Sequence, residues 1–110
     1  MKIEIVTFDT RWDEDDHTTL MAMRGDFPVG TCMVDYDKKG EAWLWNLQVS
    51  KGHRQEGIGN ALLDKAIQCT KVSGCKELHL VWRKCDSPEW VMRWYERNGF
   101  DECAFERGIV

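Results

Sequence analysis

Val49-Ser50-Lys51-Gly52-His53-Arg54-Gln55-Glu56-Gly57-Ile58-Gly59-Asn60-Ala61-Leu62-Leu63 is the stretch on which the reading of the fold turns. Before it, Glu41 to Val49 alternates apolar and polar side chains and reads as a strand, with Trp43, Trp45, Leu47 and Val49 on one face. After it, Ile58, Leu62, Ala66 and Cys69 recur at helical spacing, flanked by Ala61, Leu63 and Ile67. A glycine-bearing turn between a strand and an amphipathic helix is the arrangement that holds anions. A helix N-terminus presents unpaired N–H groups and partial positive charge, and glycines let a phosphate approach the backbone. Arg54 adds a fixed cation.

Three kinds of phosphate cradle compete for this stretch. A nucleoside triphosphate loop needs Lys followed by Ser or Thr after its second glycine, and Asn60-Ala61 stands there. A dinucleotide fingerprint needs a third glycine at position 62, which is leucine, and Glu77 opens the next strand rather than closing it. A coenzyme A pyrophosphate turn is the third.

Outward from that stretch, Lys2 to Phe8 reads as a strand with Ile3 and Ile5 inward and Val6 a further inward candidate. Asp9 to Asp16 reads as an exposed loop or one helical turn. Thr18 to Arg24 and Val29 to Tyr36 read as strands that join Glu41 to Val49 in an antiparallel meander through turns at Gly25-Asp26 and Asp37-Lys38-Lys39-Gly40. Gly74 ends the first helix. Glu77 to Arg83 is a strand with Leu78, Leu80 and Trp82 on one face. Ser87-Pro88-Glu89 starts a second helix bearing Trp90, Val91, Trp94 and Tyr95, which Asn98-Gly99 stops. Phe100 to Val110 supplies a last strand. The expected class is α+β: a mixed central sheet of about six strands with two main helices packed on it, in one domain spanning 1–110.

Composition narrows the function. The chain has 110 residues and a net charge of -4. Residues 9–16 are strongly acidic, whereas residues 50–76 carry a basic excess from Lys51, Arg54, Lys65, Lys71 and Lys76. A duplex-DNA binder carries a larger basic excess, so no nucleic acid partner is expected; a local basic patch suits a phosphorylated small molecule. No apolar run approaches the roughly twenty residues of a membrane span, and the charged start does not read as an export signal. Five cysteines without CxxC spacing suggest reduced thiols, a cytoplasmic location, and no metal.

Val49-x4-Arg54-x-x-Gly57-Ile58-Gly59-x-x-Leu62-Leu63, followed by Trp94-Tyr95-Glu96-Arg97-Asn98-Gly99-Phe100, resembles the GNAT superfamily of N-acetyltransferases over residues 41–101. The resemblance implies acetyl-CoA as co-substrate and an amine acceptor. It implies that the backbone of Leu47, Gln48 and Val49 pairs with the pantetheine arm. It further implies that the N–H groups of Arg54, Gln55, Glu56, Gly57, Ile58 and Gly59 hold the pyrophosphate, and that Tyr95 is the general acid. Three departures accompany it. Pro88 stands where the family has an asparagine, and about eight residues replace the two helices between the family's first two strands. There is also room for only one strand after the second helix. Glu41, Asp35 and His79 are candidates for the base. A non-catalytic CoA-binding or protein-interaction module on the same fold is the alternative, and the apolar C-terminal stretch suggests a homodimer.

Overall fold

The computed structural model describes residues 3–12, 15–37, 39–53, 57–81 and 89–100. By its internal contacts the chain divides into two compact units, Met1–Leu80 and Val81–Val110.

The first unit is a five-stranded sheet with one long helix. Strands β1 (Ile3–Trp12), β2 (Asp15–Arg24), β3 (Phe27–Tyr36) and β4 (Glu41–Val49) form the antiparallel meander. A short 3-10 turn (Lys51–His53) leads to α1 (Ile58–Val72), and β5 (Glu77–Leu80) returns parallel to β4, giving the order β1-β2-β3-β4-β5. A parallel return needs a crossover long enough for a helix, and α1 supplies it. The core lies between α1 and one sheet face. Ile58, Leu62, Leu63 and Ala66 meet Leu20, Ala22, Cys32, Val34, Ala42 and Leu44, all at most 4% exposed. Burying a leucine side chain contributes about 1.5–3 kcal/mol, so this two-layer packing is the main source of the unit's stability. Gly30 faces the helix, and a Cβ there would sit 3.0 Å from both Ile58 Cγ2 and Leu62 Cδ1. Across the first three strands the buried Thr18 hydroxyl donates to Asp9 Oδ1 at 2.7 Å. Its single proton being used there, the Tyr36 hydroxyl donates to Thr18 Oγ1 at 2.8 Å.

Several expectations change. Most of the stretch expected as a loop or helical turn is strand: β1 runs on to Trp12 and β2 starts at Asp15, pairing Thr10 with His17 and Arg11 with Asp16, while 13 and 14 lie outside the described residues. The poor strand propensity of the acids yields to the ladder, whose register sets opposite charges across from each other. Nor do Trp43, Trp45, Leu47 and Val49 share a face. Between the pairs Met33↔Trp45 and Thr31↔Gln48, β4 carries one extra residue, and Asn46 there has φ 53. A bulge of one residue inverts the alternation. Trp43 and Trp45 therefore face away from α1, their rings stacked at 6.4 Å, whereas Val49 pairs with the helix-facing Gly30. Strand β5 ends at Leu80, short of the expected Arg83, and 82–88 lie outside the described residues, as do Trp82 and the Ser87-Pro88 start. The described strands number five; the expected strand over Phe100 to Val110 falls outside them, apart from Phe100, which is not in a strand.

The second unit contains α2 (Glu89–Arg97). Both helices end the same way. Gly74 (φ 88) donates to the Lys71 carbonyl and Cys75 to that of Thr70; Gly99 (φ 98) donates to Glu96 and Phe100 to Tyr95. This is the paired 6→1 and 5→2 closure of a Schellman motif, which needs a left-handed residue after the cap.

Candidate functional site

The region joining β4 to α1 gathers most of the residues singled out in the sequence. The β4–β5 ladder runs only from Glu41↔Glu77 to Leu44↔Leu80. The bulge at Asn46 follows, and Leu47, Gln48 and Val49 lie beyond the end of that ladder. They stay attached on the other side: Gln48 pairs with Thr31, Val49 with Gly30, and Ser50 N–H donates to the Val29 carbonyl at 2.9 Å. The strand is thus held by β3 along its last residues, beyond the described extent of β5.

Gly57 then opens α1. It occupies the N-cap position with φ 79 and ψ 10, and its carbonyl accepts the first helical hydrogen bond, from Ala61 N–H at 3.0 Å. The left-handed conformation accounts for glycine at this position. No side chain caps this end and no acid stands in the first turn. A Cβ at Gly57 would have no described atom within 4 Å, so the backbone here is open to an approaching group. The first-turn N–H groups beyond Gly57 and the positive end of the helix suit an anion. Ile58 is 2% exposed and anchors this turn to the core beside Gly30. Arg54, Gln55 and Glu56 lie outside the described residues.

Tyr95 belongs to the second unit. It is the residue whose carbonyl accepts from Phe100 N–H in the terminal turn of α2, and its ring meets Phe100 edge-on at 5.6 Å and Trp94 at 4.9 Å. The hydrophobic contact between these two positions is the usual companion of the Schellman closure. The spacing Tyr-Glu-x-x-Gly-Phe therefore has a local structural reason: it ends the helix and fixes the tyrosine ring against the phenylalanine.

Of the candidates for the base, Glu41 and His79 come together with Glu77, a residue that sequence reasoning passed over. One ligand-type atom from each of the three lies within 4.8 Å of the others. Asp35 pairs with Trp43, and so stands on the same sheet face. The bulge at Asn46 was also missed. Its one signal was an asparagine, tolerant of left-handed backbone, in a run of strand formers.

The family model of the acetyltransferase (GNAT) domain matches residues 15–102. The chain belongs to the GNAT acetyltransferase family. Among solved structures, it is similar to a provisionally assigned acetyl transferase from Pyrococcus furiosus, at 29% identity and a TM-score of 0.70, over 80% of this chain and 61% of that one. It is similar to a GNAT-family acetyltransferase from Staphylococcus aureus Mu50, at 26% identity and a TM-score of 0.72, over 79% of this chain and 54% of that one. A transcriptional regulator from Bacillus halodurans C-125 matches at 26% identity and a TM-score of 0.69, over 77% of this chain and 59% of that one. The chain thus spans little more than half the length of each of these GNAT-fold structures. No helix among the described residues is long and apolar enough to cross a membrane.

Proposed function

We propose that this GNAT chain is an acetyl-CoA-dependent N-acetyltransferase, acting as one domain over residues 1–110 on a primary amine. The observation that carries the reading is the N-terminus of α1, opened by left-handed Gly57 with no side-chain cap among the described residues, after a strand that bulges at Asn46. The pyrophosphate binds the N–H groups of Arg54 to Gly59, and the pantetheine amides pair with Leu47, Gln48 and Val49 as an added strand. The acceptor nitrogen attacks the thioester carbonyl, and a backbone N–H at Leu47 or Gln48 meets the developing oxyanion. As the C–S bond breaks, the CoA thiolate takes a proton from the Tyr95 hydroxyl. A phenol of pKa about 10 serves a thiolate whose conjugate acid is near 8.5 only if both are held in place. The acceptor ammonium loses one proton to a base before its nitrogen attacks, and the nitrogen loses a second to solvent as the amide forms.

A second reading has its own support. Strands β1 and β2 pair antiparallel as far as Trp12↔Asp15, with two residues between them in the chain, where the family resemblance implies two helices that form part of the acceptor site. A CoA-binding or protein-interaction module without catalysis fits that loss. We also place the protein in the cytoplasm as a homodimer. Val6, Phe8 and Trp45 are exposed apolar side chains on the sheet face away from α1, and a second copy is a ready cover for them. Sedimentation equilibrium should give twice the monomer mass, reduced on deleting residues 104–110; the monomer mass at micromolar concentration contradicts it.

Release of free thiol from acetyl-CoA, measured against a panel of primary amines, tests the catalytic reading. At least one amine should raise the rate, and Tyr95→Phe, which keeps the ring contact with Phe100, should lower turnover roughly 10²-fold while binding acetyl-CoA as the parent does. Binding without release for any amine favours the module. An unchanged turnover in Tyr95→Phe, with chemistry limiting, removes Tyr95 as the acid.

A further inference from the structure

Strands β4 and β5 both begin with glutamate. The parallel register sets Glu41 against Glu77 and Trp43 against His79. Ala42 and Leu44 are buried toward α1, and Leu78 and Leu80 pair with them, so Glu41, Glu77 and His79 all stand on the opposite face. Their ligand-type atoms lie within 4.8 Å of one another. Each of the three is separately prepared. The turn before Glu41 is pinned by Asp37, whose Oδ1 accepts from Lys39 N–H at 2.8 Å and Glu41 N–H at 3.0 Å. The His79 ring lies against the Trp43 indole, centroids 4.9 Å apart at 30°. Glu77 is 63% exposed at its side chain and free to swing.

The decisive atom is His79 Nε2. The atom is buried and has no aligned hydrogen bond among the described residues, although Glu77 Oε2 is only 3.0 Å away. A buried nitrogen beside carboxylate oxygens, without an aligned N–H between them, leaves polar capacity unused. Two carboxylates stand around that nitrogen. A cation between the three groups turns each of these contacts into attraction.

We propose that Glu41, Glu77 and His79 form a binding site for a divalent transition metal, zinc in the first instance, with water completing the coordination. Two carboxylates and one imidazole are a donor set suited to such ions. Zinc bonds of about 2.0–2.1 Å place tetrahedral ligand atoms about 3.4 Å apart, so the donors need to close by little more than 1 Å. The ion clamps the first residues of a parallel pair only four residues long. It lies about 10–16 Å along β4 from the bulge at residue 46, His79 opposite Trp43 and Glu77 opposite Glu41, so its role is structural. Sequence reading expected no metal from the cysteine spacing; Glu77 lies 36 positions after Glu41, and the crossover through α1 aligns the two.

Isothermal titration of the full chain with zinc chloride, under reducing conditions, tests this without any assay of activity. The parent should bind one equivalent, and both His79→Gln and Glu77→Gln should weaken binding at least tenfold. Glu77 is exposed enough that its replacement keeps the fold, so its loss of binding reports the ligand. Saturating zinc should raise the melting temperature of the parent by a few degrees and leave that of Glu77→Gln unchanged. Cobalt(II) should give visible d–d bands without an intense near-ultraviolet thiolate charge-transfer band. Absence of binding in the parent, equal affinity in the variants, or a thiolate band overturns the proposal; the last would assign the ion to the cysteines.

Discussion

Cys32 shows how burial decides the chemistry of a side chain here. It is 1% exposed, and burial, reinforced by the neighbouring Cys69, pushes its thiol up to about 12 from an ordinary 9.0. Reaction with an alkylating agent needs the thiolate, so Cys32 should stay unmodified in the native protein and react only after denaturation. Peptide mass mapping reads this directly, and native alkylation at Cys32 contradicts it. Because the folded pKa is the raised one, the neutral thiol favours folding below about pH 9, and that contribution is lost as pH rises from 9 toward 12. Burial likewise raises the Cys69 thiol and the Tyr36 phenol, so an alkaline fall in stability is expected. Cys32→Val should flatten part of it in pH-dependent urea titrations. Gly30 and Gly57 are glycines for opposite reasons. Gly30→Ala brings a methyl to 3.0 Å from two core side chains and 3.1 Å from the Gln48 carbonyl oxygen, which should cost about 1–3 kcal/mol in urea denaturation. Gly57→Ala meets no described atom, and the left-handed backbone there costs about 1 kcal/mol.

Among the elements, α1 was legible almost to the residue. Its apolar positions keep helical spacing, and Gly74 supplies the left-handed residue that closes it. Strand β4 was legible as a strand but not as a surface. Trp43, Trp45, Leu47 and Val49 alternate through position 46 as if no residue were added, and a period-two reading carries no sign of a bulge. The β1–β2 ladder was hidden for another reason: its acids have poor intrinsic strand propensity, and pairing with the partner strand outweighs that preference. The bulge yields a prediction of its own. Asn46 tolerates φ 53, glycine adopts it freely, and a β-branched residue does not. Asn46→Gly should therefore fold with near-parental stability and keep acetyl-CoA binding. Asn46→Val should lose about 1–2 kcal/mol and, by pressing β4 toward regular alternation, weaken that binding. Equal melting temperatures and equal affinities for the two variants contradict the role given to the bulge.

At the scale of the molecule, the family could be read from two short segments because each answers a local physical demand. Gly57-Ile58-Gly59 opens a helix without a cap, and Tyr95-to-Phe100 closes one with a ring contact. The Glu41, Glu77 and His79 cluster answers no local demand. It exists only once α1 has carried the chain back parallel to β4, and no spacing rule announces it. The proposed role of the junction of β4 with α1 is to hold the pyrophosphate and pantetheine of coenzyme A. Amide chemical shifts in a 15N-labelled sample titrated with coenzyme A report on that junction residue by residue. Gly57, Ile58, Gly59 and Asn60, together with Leu47, Gln48 and Val49, should shift most and saturate with one affinity, and Gly57→Glu should abolish the shifts. Shifts that cluster elsewhere, or that persist unchanged in Gly57→Glu, would contradict it.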